Sequence, residues 1–204
     1  MDENTQKMLA GMPYSPDTPE LVAKRQAAHN RCQQYNQTPE TDLGLRRKLI
    51  RQIVPHQGVE DYFQGPIQFD YGEFTTVGDY FYANFNLTVL DVCPITIGDH
   101  VMCGPNVSLI TAMHPLCYQQ RNVQMQADGQ MGDLEYGKPI TISDNCWLAA
   151  NVIVCPGVTI GNGCVIGAGA VVTHDIPDNS LALGVPAKVV KTITEADRLA
   201  NYPY

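Results

Sequence analysis

Residues 140–179, written in rows of six as ITISDN, CWLAAN, VIVCPG, VTIGNG, CVIGAG, AVVTHD and IPDN, decide the fold through their columns. The first column holds Ile140, Cys146, Val152, Val158, Cys164, Ala170 and Ile176. The third holds Ile142, Leu148, Val154, Ile160, Ile166 and Val172. All thirteen positions are apolar in a chain that is 44% hydrophobic, which random placement would give roughly twice in 100,000 trials.

An amphipathic helix needs apolar spacings of three and four, whereas these rows carry short β-branched runs closed by Gly, Asn, Asp or Pro at fixed offsets. Each row is therefore a short strand and a corner. Six is even, so the same side chains return inward on every row, and three corners per circuit stack equivalent columns about every three rows. The reading is an all-β dominated, triangular parallel β-helix, in which Cys146 and Cys164 share an interior column and act as packing groups.

The rhythm extends upstream through Ile95, Val101 and Val107. The step from Val107 to Ile140 is not a multiple of six, so the chain must leave the coil and re-enter it. The intervening segment, about 115–139 and including QADGQMGD, reads as an extruded loop. Residues 1–57 follow a different grammar. Thr18 and Pro19 suit the N-cap and first position of a helix, and a second helix is expected from Thr38-Pro39 to Pro55 with Leu45, Leu49, Ile50, Ile53 and Val54 as its apolar face. This segment would cover the open edge of the first coil. Residues 58–190 would form the β-helix and 191–204 a tail ending in a short helix.

A net charge of -8 and a sequence pI near 4.9 exclude a general nucleic-acid binder, because no basic stripe is present to neutralise phosphates. No apolar run is long enough for a membrane span, and the start MDENTQK lacks the features of a signal peptide, so a cytoplasmic location is expected. Seven cysteines without a CxxC pair read as reduced thiols, and no metal centre is expected.

Together with the rows, TAMHPL, the loop, EYGKPI and GVPAKVV resemble the hexapeptide-repeat acyltransferases. KMLAGMPYSPDTPE, FYANFNLTVLDVCPITIGD and the pair His114-Pro115 narrow the resemblance to the maltose and galactoside O-acetyltransferases over nearly the whole chain. The resemblance implies a left-handed β-helix, against the usual crossover preference. It also implies transfer of an acetyl group from acetyl-CoA to a sugar hydroxyl, at sites between subunits of a homotrimer.

A hydroxyl is a weak nucleophile at neutral pH, so transfer needs a general base within hydrogen-bond reach, a task that suits histidine. His114 ends a rigid coil just before the loop and is the expected base. Glu135, at the loop's return, is the candidate partner for its other ring nitrogen. By resemblance, the sugar would meet Asp17, Asp70, Asn84 and Asp91. Asp70 stands where the galactoside branch has serine, and LDVCPI is closer to the maltose branch, which favours a glucose-type acceptor.

At the position for oxyanion support this chain has Ala150, so only a backbone N–H could serve there. Trp147 would line the cleft. CoA would run past Ala168 and Thr173 to Lys188 and Lys191, with His174 at a family lysine position. Two other classes remain open at this point. A metal hydratase resembling the gamma carbonic anhydrases would need His100, His114 and His174 to converge on zinc. A non-catalytic scaffold would use neither His114 nor the GVPAK segment, and within the transferases a galactoside, serine or antibiotic acceptor is the alternative.

Overall fold

The computed structural model describes residues 1–126, 129 and 131–200. Part of QADGQMGD and the last four residues of the expected tail lie outside these. The described chain is a parallel β-helix of three flat faces preceded by three helices. The first face stacks His56–Gln57, Thr75–Val77, Ile95–Ile97, Ile140–Ile142 and Thr159–Ile160. The second stacks Tyr62–Phe63, Tyr82–Ala83, Met102–Cys103, Trp147–Leu148, Val165–Ile166 and Ser180–Leu183, and Lys188–Thr192 closes it antiparallel. The third stacks Ile67–Phe69, Leu87–Leu90, Ser108–Ile110, Ile153–Val154 and Val171–Val172.

The columns of six are the interior. All thirteen aligned residues are buried, at 4% exposure or less. Cys146 and Cys164 are both buried in this column, and no cysteine is in a disulfide. Cys117, in the extruded loop, is exposed.

The coils are not all alike. Thr141 pairs with Thr159, three rows of six further on, whereas His56 pairs with Thr76 and Thr76 with Thr96, a longer circuit. The two additional residues of each early coil sit in the corners that lead from the third face to the first, at 70–74 and 91–94. Across the loop the ladder closes directly, Thr96 pairing with Thr141.

The corners explain the polar columns. At the turn from the second face to the third, Asn86, Asn106 and Asn151 have φ of 62°, 61° and 60°, a left-handed conformation that asparagine tolerates. Their amides also form a ladder, Asn86 Nδ2 donating to Asn106 Oδ1 at 2.8 Å and Asn106 Nδ2 to Asn151 Oδ1 at 3.0 Å. At the turn from the first face to the second, Asp99 accepts from the amide of Asp79 and Asp144 from that of Asp99. Each coil thereby caps the corner of its neighbour.

Helix α1 (Glu3–Leu9) is too short to leave a clear sequence period and was not expected. Helix α2 (Pro19–Gln37) begins at Pro19 as expected, although the Thr18 side chain makes no cap bond. Helix α3 (Leu43–Ile53) starts later than the expected Thr38-Pro39, because the Asp42 carboxylate accepts from Leu45 N and caps it there. On α3, Leu49, Ile50 and Ile53 are buried while Leu45 is 41% exposed.

These helices cover the first coil. Asn36 donates to the carbonyl of Ile67 at 2.9 Å and accepts from its amide at 2.8 Å, satisfying the open strand edge. The buried Arg46 guanidinium donates to the carbonyls of Thr38, Phe63 and Gln64 and to the Tyr35 hydroxyl, binding α2, α3 and the first coil into one unit.

Candidate active site

The extruded segment is clamped at its base. Ala112–Met113 pairs antiparallel with Tyr136–Gly137, Ala112 opposite Gly137 and Met113 opposite Tyr136. The next cross-strand neighbours are His114 and Glu135, so the hairpin register itself brings these two together. Gly137 is required at this base, since a Cβ there would lie 2.7 Å from Cys93 Sγ and 2.9 Å from the carbonyl oxygen of Thr111.

His114 Nδ1 lies 3.3 Å from the carbonyl oxygen of Leu134. A carbonyl only accepts, so Nδ1 carries the proton and Nε2 presents its lone pair. Nε2 is 3.9 Å from Glu135 Oε1, and Nδ1 is 3.9 Å from Asp133 Oδ2. The orienting partner of the ring is thus a backbone carbonyl, not the Glu135 carboxylate expected from sequence. Glu135 stands instead beside the free nitrogen. Burial raises its carboxyl pKa, partly offset by the Tyr14 hydroxyl and His114.

Polar groups from the front segment gather beside this corner. His29 Nε2 is 3.4 Å from Asp70 Oδ1, and Arg25 lies 3.6 Å from Asp17 Oδ1 and 3.4 Å from the Tyr71 hydroxyl. Burial raises the pKa of Asp70, and its pairing with His29 lowers it in part. His29 and Arg25 carried no sequence signal beyond their place on a helix.

Asp91 is a correction. It is fully buried, with one oxygen accepting from Tyr71 N at 2.9 Å and the other from Thr75 Oγ1 at 3.0 Å, so it holds its own corner and offers a sugar nothing. Burial pushes its carboxyl up to about 7, and Asp61 is raised by burial to about 6. Both values lie above the unfolded value of about 3.9. Between pH 4 and 7 the folded chain therefore holds protons that the unfolded chain releases, and stability falls as pH rises. Urea unfolding is expected to show a loss on the order of 2 kcal/mol from pH 5 to pH 8, with a shallower slope in Asp91→Asn. A rise in stability over that interval would contradict the assignment.

A second concave region lies at the turn from the second face to the third. It encloses about 320 Å³ and is lined by Tyr82, Asn84, Met102, Cys103, Gly104, Pro105, Trp147 and Ala150. Asn84 Oδ1 accepts from Phe85 N at 2.7 Å. The amides of Ala149 and Asn151 donate to the carbonyls of Ile166 and Pro105, whereas that of Ala150 has no acceptor among the described residues. Gly104 keeps this amide open, because a Cβ there would approach Ala150 N to 2.8 Å. Trp147 is 48% exposed, outward as expected.

The expected site residues thus divide between two edges of the prism. Asn84, Ala150 and Ala168 follow strands of the second face, while Asp70, His114, Glu135, Thr173 and His174 follow strands of the third or border the loop. One face, about 15 Å wide at the rise of a strand, separates the edges. Thr173 Oγ1 and His174 Nδ1 are 2.9 Å apart. Lys188 and Lys191 lie on the closing antiparallel strand, where the side chain of Lys191 is bonded to Asp197 in the short 3-10 turn Glu195–Asp197. Among the described residues no group of three His, Cys, Asp or Glu side chains is placed to hold a metal, and no helix is long and apolar enough to cross a membrane.

A hexapeptide coil interrupted by one loop, with a histidine at its base, defines a class, the hexapeptide-repeat acyltransferases. Comparison with known proteins agrees. Residues 7–58 match the maltose acetyltransferase hexapeptide capping motif and residues 139–174 the bacterial transferase hexapeptide repeat. The galactoside O-acetyltransferase of Escherichia coli K12 is 37% identical over 194 residues, covering 95% of this chain and 91% of the relative. The crystal structure of a maltose O-acetyltransferase from Clostridium difficile 630 superposes with a TM-score of 0.86 at 40% identity, covering 94% of this chain and 98% of that one. A galactoside acetyltransferase in complex with coenzyme A superposes with a TM-score of 0.88 at 33% identity, covering 100% and 97%. The chain belongs to the maltose and galactoside O-acetyltransferase family.

Proposed function

We propose that this protein transfers the acetyl group of acetyl-CoA to a hydroxyl of a sugar of the glucose or maltose type, with His114 as general base. The observation that carries the reading is the state of the His114 ring, whose Nδ1 is held by the Leu134 carbonyl while Nε2 stays free beside Glu135. The acceptor hydroxyl gives its proton to Nε2 as its oxygen attacks the thioester carbonyl. The C–S bond then breaks and the CoA sulfur takes the proton back from the imidazolium. The Ala150 amide supports the carbonyl oxygen as it becomes negative.

The division of site residues between two edges favours a homotrimer. Threefold packing sets the Asn84 and Ala150 edge of one subunit against the His114 edge of the next, completing a site that neither edge forms alone. Acetyl-CoA would lie in that cleft, along Trp147, Ala168, Thr173 and His174, and its phosphates would displace Asp197 from Lys191 and meet Lys188. The coenzyme A complex of the related galactoside acetyltransferase supports this cosubstrate. Asp70, held by His29, and Asp17, held by Arg25, are polar groups for the sugar, and they replace the buried Asp91 in that role.

The test is CoA-thiol release from acetyl-CoA with glucose, maltose, a galactoside, serine and chloramphenicol in parallel. Release that depends on glucose or maltose is expected. Release confined to serine or chloramphenicol would overturn the sugar assignment, and the absence of both release and acetyl-CoA binding would favour a scaffold.

A further inference from the structure

We infer that Tyr14, in the segment before α2, is a positioning residue for the reaction, acting through Glu135 on the nitrogen of His114 that takes the proton. The inference rests on the acetyl-transfer reading above and concerns the same site.

Tyr14 is remote from Glu135 in sequence yet meets it three times. Its amide donates to the Glu135 carbonyl at 2.9 Å, and the Glu135 amide donates to the Tyr14 carbonyl at 3.1 Å, forming an isolated antiparallel bridge. Its hydroxyl donates to Glu135 Oε2. The ring is 1% exposed and packs with Met8, Leu21, Tyr71 and Val92 in a small core of its own, separate from that of the coil. A residue needed only to fill this core would not require a hydroxyl. Here the hydroxyl engages the one carboxylate among the described residues that borders His114 Nε2.

The consequence is a division of labour within the carboxylate. Oε2 is fixed by Tyr14, so Oε1 is turned to His114 Nε2 at 3.9 Å. That separation exceeds a direct hydrogen bond, and an ionised carboxylate oxygen has no proton to donate, so the Nε2 lone pair stays open to accept the proton. An ionised Oε1 at this distance instead stabilises the imidazolium as it forms, in the way a carboxylate beside a catalytic histidine need not itself take the proton. Several groups work against ionisation of Glu135. It is buried, and Asp70 and Asp133 face it with like charge. Tyr71 and Cys93 lie nearby as neutral groups. The Tyr14 hydroxyl and His114 favour the charged form. Removing the tyrosine hydroxyl therefore raises the pH at which Glu135 ionises.

The test is Tyr14→Phe, assayed with glucose or maltose, whichever gives thiol release in the wild type. We expect kcat to fall about tenfold with KM for acetyl-CoA unchanged, and the acid limb of the kcat/KM profile to move to higher pH. The sign follows because the active form needs Glu135 ionised and His114 neutral, and loss of the donor destabilises the ionised carboxylate more than the neutral acid. Glu135→Gln should lower kcat by a similar factor, and the double variant should be no worse than Glu135→Gln alone.

Should the phenylalanine variant not fold, 3-fluorotyrosine incorporated at position 14 keeps the shape and strengthens the donor. It should move the acid limb to lower pH. Wild-type kcat with an unmoved acid limb in a folded Tyr14→Phe, or in the fluorinated protein, would overturn the inference, as would fully multiplicative losses in the double variant. Failure of the acetyl-transfer reading is distinguishable, since it would appear in the wild type as absence of acceptor-dependent thiol release.

Discussion

Replacing His114 with alanine is expected to lower kcat by a hundredfold or more while leaving KM for acetyl-CoA and the unfolding midpoint near their wild-type values. The magnitude is that of a positioned general base, which contributes on the order of 10² to 10⁴ in rate. Stability should hardly change because the side chain is 45% exposed and its only hydrogen bond among the described residues is the one to Leu134. Stopped assays with saturating acceptor would measure kcat, and a loss below about fivefold would remove His114 from the role of base. The two-edge arrangement adds a second readout. In the proposed intersubunit site Asn84 lines the opposite wall, so neither variant alone should be fully active, whereas coexpressed His114→Ala and Asn84→Ala chains should regain activity if they assemble as the proposed trimer. No recovery in mixed trimers would place the complete site within one subunit.

The second large effect concerns the joint between the front helices and the coil. Gly72 has φ of +73°, and a Cβ there would lie 2.1 Å from the carbonyl oxygen of Ile53, the last residue of α3. Gly169 has nearly the same φ, +72°, but a Cβ there would meet nothing within 4 Å. The two glycines share the backbone strain and differ only in the clash. Gly169→Ala should therefore cost about 1 kcal/mol, the lower end for a non-glycine residue in the left-handed region. Gly72→Ala should cost about 4 kcal/mol, because overpacking against a fixed carbonyl adds to that strain. Against a total stability of about 5–15 kcal/mol this is a major loss. Equal costs in urea titrations of the two variants would show that α3 can move away from the coil.

The coil was legible in the sequence because parity enforces it. A row of six returns the same side chains inward, and any polar residue at Ile142, Val154 or Ile166 would have broken the column. The longer circuit of the early coils was not legible, since its additional residues fall in corners such as 70–74, where no side-chain period applies. The start of α3 departs from expectation because Pro39 suits a first helical position, while the decisive bond, Asp42 to the Leu45 amide, is local geometry with no periodic trace.

At the site, His114 was legible as the point where the rhythm ends before the loop. Its partner was not, because the Leu134 carbonyl is a backbone group that every residue possesses. Asp91 misled for the opposite reason. Its residue type suits a sugar, and only its burial beneath Tyr71 and Thr75 shows that its hydrogen bonds are already made. Tyr14 and His29 reach the site from a front segment whose docking no local pattern encodes.

The direct pairing of Thr96 with Thr141 bears on the history open to such a molecule. Stacked coils later in the chain advance by three rows, as from Thr141 to Thr159, and here the step is far longer, yet the ladder is continuous. The sheet thus registers nothing of the inserted segment except the two points where it leaves and returns. Mutation can lengthen, shorten or rewrite that excursion without renegotiating the solenoid, provided Gly137 still seats on Cys93 and His114 still faces Glu135. A lineage built this way can rewrite one surface insertion while inheriting its architecture intact.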